Sequence, residues 1–290
     1  MIPLSQSHLT HLDICARKYQ YVFFDALLGP STYDQHLTTQ WGSQFHLLMQ
    51  QQALDLPVEV ITPADMGMAN SLAALEKAAP DVFAYLPESS VSKQVFDEKA
   101  EPADPNIFSQ SEHRRTLEFN GYLLTVIYDL LVTSAGTPEH PDSGQIFDWK
   151  THQQPPKQEW LQKDWQTRLY LYVLCETSEL APEQISMTYW FVRTEDKTPS
   201  FYRFDYTLAQ HDVTRKDLQQ LTDGLTQMRE QTDFPKVAVE KGYCVRCPFD
   251  VRCQRSHLTQ PHKKINRPDP TQILKAARQL TAETVEEIPL

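Results

Sequence analysis

The stretch Ile146-Phe147-Asp148-Trp149-Lys150-Thr151 holds the densest chemistry of the chain. Its apolar and β-prone residues predict a strand, and residues two apart on a strand project to the same face. Asp148 and Lys150 therefore point together. A carboxylate holds a hard divalent cation, while an ammonium beside it can orient an attacking water or neutralise charge developing on a phosphate. Phosphodiester hydrolysis needs both. A solvated ion pair would use the same two residues, so the reading depends on companions.

Two companions stand earlier in the chain. Asp129 is the single carboxylate of the apolar run Leu123-Leu124-Thr125-Val126-Ile127-Tyr128-Asp129-Leu130, where burial without a cation or a donor would be costly. It reads as a second metal ligand. His46 follows Trp41-Gly42-Ser43-Gln44-Phe45, and helical spacing stacks Gly42 one turn before it, leaving room beside the imidazole. It reads as a third. Further on, Gln166 and Tyr170 lie one helical turn apart, beside the apolar stripe of Leu161, Trp165, Leu169 and Tyr172 rather than on it.

A second constellation is built from sulfur. Cys244-Val-Arg-Cys247-Pro-Phe-Asp-Val-Arg-Cys253 spaces three thiolates closely enough to converge on one centre. The fourth ligand is either Cys15, near the other end of the chain, or His257, which would complete a Cys3His zinc site. Cys175, inside an apolar helix, reads as core.

Stepping through the elements that must position these groups, Ser5 predicts a capped helix to about Tyr21, followed by helices over Thr39 to Leu54 and Ala64 to Ala78. Pro57, Pro80, Pro87, Pro102 and Pro105 punctuate the region near 55–110, which reads as a helical insertion. Short β-prone runs follow at Thr116 to Phe119, Leu123 to Thr133 and Gln145 to Thr151. A helix over Trp160 to Thr177, strands over Ile185 to Arg193 and Ser200 to Tyr206, and a helix over Gln210 to Thr232 complete a mixed α/β domain spanning 1–258. A polar tail, 259–290, ends the chain.

Taken together, Gly42 and His46 on a helix, Asp129 on a strand, Asp148 and Lys150 on the next, and Gln166 and Tyr170 on the following helix resemble the RecB-like branch of the PD-(D/E)xK nuclease superfamily. The resemblance implies a restriction-endonuclease-like fold, a mixed central sheet flanked by helices with a helical N-terminal and a Cys-rich C-terminal segment. It implies that His46, Asp129 and Asp148 bind Mg2+ or Mn2+, that Lys150 assists catalysis, and that Gln166 and Tyr170 border the site. The N-terminal cysteine with a C-terminal trio is similar to the iron-sulfur members of that family, AddB-type and CRISPR-associated. A 4Fe-4S cluster on Cys15, Cys244, Cys247 and Cys253, serving as a staple, is implied, with Zn2+ as the alternative. Val126 stands where the family usually has glycine.

Composition sets the outer bounds. A 40% apolar share supports a proper core, and five cysteines suit metal ligation or core filling in a cytoplasmic protein better than disulfides. No apolar run is long enough for a membrane helix and no signal peptide is apparent. With eight glycines and no phosphate-cradling loop, any helicase motor must come from another chain, so a helicase, recombination or CRISPR protein is the expected partner beside DNA. The net charge of -11 argues against binding nucleic acid by bulk electrostatics, leaving Arg17, Lys18, Arg114, Arg115 and Lys150 as a local basic track. The same charge suits the rival readings, a catalytically silent nucleic-acid-binding subunit or a zinc-stabilised scaffold.

Overall fold

The strand β3 (Tyr122–Ser134) is the axis of the molecule. In the computed structural model, which describes residues 1–27, 29, 33–56, 66–86, 106–136, 141–152, 154–193 and 198–255, it pairs with three other strands. β2 (Ile107–Phe119) runs antiparallel along its whole length, through a turn at Asn120 and Gly121 whose positive φ angles suit those two residue types. Along the other edge, β1 (Ile2–Leu4) pairs parallel with Tyr122, Leu123 and Leu124, and β4 (Ser143–Lys150) pairs antiparallel with Leu130 to Ser134. Neither of these ladders reaches Thr125 to Asp129, so β3 has an open stretch of edge between its two neighbours.

The sheet continues from β4 to β5 (Ile185–Phe191), parallel, and to β6 (Ser200–Asp205), antiparallel. The parallel step requires a crossover, which α6 (Gln158–Lys163) and α7 (Trp165–Glu176) supply. All seven residues of β5 are buried, as expected of a strand covered on both faces. One face packs against α1 (Gln6–Ile14), α7 and α8 (Leu208–Met228), with Leu9, Leu169, Tyr172 and Leu218 in a continuous core. The other packs against α3 (Tyr33–Ala53), α4 (Met66–Ala78) and α5 (Pro80–Phe83) through Phe45, Leu75, Val82 and the strand residues Phe147, Trp149 and Trp190. This is the expected mixed α/β architecture.

Several boundaries differ from the sequence reading for identifiable reasons. The first helix breaks at Cys15, whose extended backbone ends α1 before α2 (Ala16–Tyr19) and a π-helical turn over Gln20–Phe24 begin. The helix expected over Trp160 to Thr177 is interrupted at Asp164, which adopts an extended conformation and caps α7 by accepting from the Gln166 amide. β2 begins nine residues earlier than its apolar signal, because Ser109 to Arg115 are polar. β1 is too short to carry a pattern. Of the region near 55–110, α4, α5 and the start of β2 are described; the rest, like the tail 259–290 and His257, lies outside the described residues.

Residues Met1–Lys236 form one compact unit and Val237–Leu290 a second. In the second, short turns at Val239–Lys241 and Tyr243–Arg246 flank Gly242, which has a φ of 75°. Among the described residues no helix is long and apolar enough to cross a membrane.

Candidate active site

The open stretch of β3 is where the predicted residues gather. Along this strand Tyr122, Leu124, Val126 and Tyr128 enter the core of one face, but beyond Asp129 it is Leu131 that joins them, while Leu130 and Val132 turn to the other. The alternation slips by one residue at Asp129. Opposite it on β2, between the pairs Ser111↔Leu130 and His113↔Tyr128, stands Glu112 with a φ of 51°. The ladder lapses there, and Ser111 Oγ instead donates to the Asp129 carbonyl at 2.9 Å. On the other side the β3–β4 ladder ends at Leu130↔Phe147, so Asp129 and Asp148 are the next residues along each strand beyond the last pair. Glu112, Asp129 and Asp148 thus occupy one row across three neighbouring strands, at the point where the sheet opens. Such irregularities recur beside active sites, where they re-aim side chains.

Two linked groups form around this row. In one, Asp129 Oδ2 accepts from the Trp149 amide at 2.7 Å and lies 3.3 Å from His46 Nδ1. In the other, Gln166 donates from Nε2 to Asp148 Oδ1 at 2.5 Å and accepts at Oε1 from Lys150 Nζ at 2.7 Å. Lys150 Nζ also stands 2.8 Å from Asp148 Oδ2 and 4.8 Å from the centre of the Tyr189 ring. Asp148 is 2% exposed, and its buried second oxygen has the Lys150 ammonium as ion-pair partner and no further hydrogen bond. Tyr170 packs edge-on against Tyr128, whose hydroxyl donates to the Tyr170 carbonyl at 3.0 Å.

The charges respond to one another. Burial, then the neighbouring Asp148, raises the Asp129 pKa above its ordinary value against the opposing pull of His46 and the Trp149 amide. Burial alone would lower the His46 pKa, but the hydrogen bond and charge of Asp129, with Asp148 and Glu112 behind, raise it. Burial and the two aspartates also push the Tyr170 hydroxyl up, keeping it protonated. An uncompensated acidic row of this kind is what a bound cation would relieve.

Gly42 sits where α3 meets the end of β4, and a Cβ there would come within 3.0 Å of Thr151 Oγ1. The missing side chain makes room for Thr151 rather than for the imidazole, a correction to the sequence reading. What it permits is close approach of α3 to the strand carrying Asp148 and Lys150. Val126, in the place usually held by glycine in the similar family, is 1% exposed within the core; the side chain lining the groove is its neighbour Ile127, 44% exposed. That groove, about 640 Å³, is also lined by Thr39, His46, Asp129 and His152.

A family model described as the PD-(D/E)XK nuclease superfamily matches residues 3–254. The chain belongs to that superfamily. Membership implies nuclease activity on nucleic acid, and the mixed sheet flanked by helices accords with the restriction-endonuclease-like fold. A solved structure described as "Crystal structure of SSO0001" is 12% identical with a TM-score of 0.34, covering 87% of this chain and 86% of its own. No curated protein matches the sequence.

Superfamily nucleases usually use Mg2+ or Mn2+, and the residues present fit such an ion: carboxylate oxygens and an imidazole drawn together at the gap of β3. Among the described residues, His46, Glu112 and Asp129 offer ligand atoms within 4.8 Å of one another. Glu112 escaped the sequence reading because it lies in a polar run, Ser109 to Arg115, with no periodicity to mark it. Arg17 proves a poor phosphate grip, since its mostly buried guanidinium pairs with Asp233 and lies over Tyr21. Arg115 is likewise engaged, donating to the Thr177 carbonyl and hydroxyl at 2.7 and 2.9 Å. In the second unit, Arg255 donates to Cys244 Sγ at 3.1 Å and to the Val237 carbonyl at 2.6 Å, and the described cysteines form no disulfide.

Proposed function

We propose that this superfamily member is a Mg2+- or Mn2+-dependent deoxyribonuclease in which His46, Asp129 and Asp148 hold the metal and Lys150 assists the chemistry. When bound, the ion polarises the scissile phosphate and lowers the pKa of an attacking water. The side chains supply the rest. Lys150 is held by Gln166 and Asp148 with its ammonium fixed at the edge of the row, suited to orienting water or neutralising charge on the phosphate. Gln166 keeps Lys150 and Asp148 in mutual register by bonding both. Tyr170, buried and kept protonated, packs against Tyr128 beside the gap.

The observation that carries this reading is the meeting, on one row of the sheet, of His46 with Asp129 and of Asp148 with Lys150 and Gln166. Its test is a cleavage assay on single-stranded and duplex DNA with Mg2+ and Mn2+, run beside Asp148→Ala and Lys150→Ala. Loss of cleavage by at least about a hundredfold in each variant, with the far-ultraviolet dichroism unchanged, is expected. Cleavage surviving in Asp148→Ala would overturn the assignment, and inactivity of the parent on every substrate would favour a silent binding subunit.

We assign the four cysteines Cys15, Cys244, Cys247 and Cys253 to a 4Fe-4S cluster that staples the chain without redox chemistry. The close spacing of Cys244, Cys247 and Cys253 supports a sulfur-ligated centre. Iron and sulfide analysis of anaerobically purified protein decides between this and Zn2+. Work alongside a separate helicase, in recombination, repair or CRISPR-type processing, follows from the family likeness and from the lack of a nucleotide-binding loop in this sequence.

A further inference from the structure

We infer that Glu112 is an additional metal-holding residue of this site, so that the cation is shared by β2 and β3 and not by the His46, Asp129 and Asp148 set alone. The inference rests on the nuclease reading and goes beyond the residues from which that reading was drawn. Three observations carry it. Glu112 lies between the paired residues Ser111 and His113 of β2, at the level of Asp129, which the ladder skips between Tyr128 and Leu130. Its carboxylate belongs to the close group with His46 Nδ1 or Nε2 and the Asp129 oxygens. Asp148 already has Lys150 as a counter-charge, 2.8 Å from its buried Oδ2, and stands outside that close group.

Charge then decides which side of the row needs the ion. Lys150 stands 2.8 Å from Asp148, whereas among the described residues the group drawn close to Glu112 and Asp129 is the His46 imidazole. A single divalent ion neutralises that pair. The same positions explain why the strand departs from regular pairing: a flat antiparallel ladder would send Glu112 and Asp129 side by side with no common focus, while the interrupted ladder lets both approach His46 on α3.

The experiment measures Mn2+ binding to the metal-stripped full-length chain, by calorimetry and by loss of the free-ion electron paramagnetic resonance signal, together with the melting temperature with and without Mn2+. Glu112→Gln is expected to weaken Mn2+ binding by about tenfold or more and to shrink the rise in melting temperature that Mn2+ produces. In metal-free protein the same variant is expected to melt no lower than the parent, because it removes a like charge beside Asp129. A purely structural glutamate would instead lower the melting temperature under both conditions. Glu112→Asp, which keeps the charge but draws it back, should fall between parent and Gln. Parent-like Mn2+ affinity in Glu112→Gln, where Asp129→Asn has lost it, overturns the role of Glu112 and leaves the nuclease reading standing. Failure of the parent itself to bind Mn2+ overturns both.

Discussion

At Gly42 two opposed effects meet in one residue. Alanine is the better helix former by about 1 kcal/mol, so Gly42→Ala gains helix stability, while its methyl group would press on Thr151 at 3.0 Å. We expect melting temperature to change little and cleavage to fall about tenfold, because the shift is absorbed where α3 meets the Asp148 strand. Parallel melts and cleavage rates check this. His8 makes a second residue-scale case. Burial, and then the neighbouring His11, lowers its pKa below the ordinary 6.5, while it accepts from the Ser5 amide at 3.2 Å and stacks on Phe23. Above pH 6.5 both folded and unfolded chains hold it neutral; as pH falls below that value the unfolded chain takes up the proton first, so stability declines. Urea melts between about pH 8 and pH 5.5 should show a smaller decline in His8→Gln than in the parent.

Among the elements, β2 and the first helices divide the basic residues by role. Arg114 is exposed on β2 opposite Ile127, which lines the groove, whereas Arg17 is packed over Tyr21 and paired with Asp233. Arg114→Ala should weaken nucleic-acid binding uniformly across sequences and reduce the slope of log affinity against log salt by about 1. Arg17→Ala should leave that slope alone and lower stability by about 1 kcal/mol through lost packing. Fluorescence-free filter binding over a salt series, with urea melts beside it, separates the two. The sequence displayed Asp148 and Lys150 clearly because strand periodicity is local, and it displayed the α7 pair Gln166 and Tyr170 for the same reason. It hid Glu112, since what makes that residue notable is its cross-strand position and a left-handed backbone, neither of which is written in neighbouring residues. The breaks at Cys15 and Asp164 were also hidden, because both residues interrupt patterns that are otherwise continuous. β1, at three residues, shows only in its pairing with β3.

For the molecule as a whole, the sheet separates two cores, and β4 serves both. Ile146 enters one and Phe147 and Trp149 the other, while Asp148 and Lys150 stand at its open end. The overall acidity of the chain, -11, is therefore compatible with a phosphate-cleaving site only through local balance, in which Lys150 and a bound cation offset the acidic row. Trp149 joins these levels. Its amide is tied to Asp129 while its indole, 2% exposed, is embedded in the opposite core. Any pull on Asp129 is thus transmitted to a buried chromophore. Intrinsic emission should shift as Mg2+ is titrated in, and Trp149→Phe should silence most of that change, which gives the protein an optical gauge of its own loading that needs no substrate and no label.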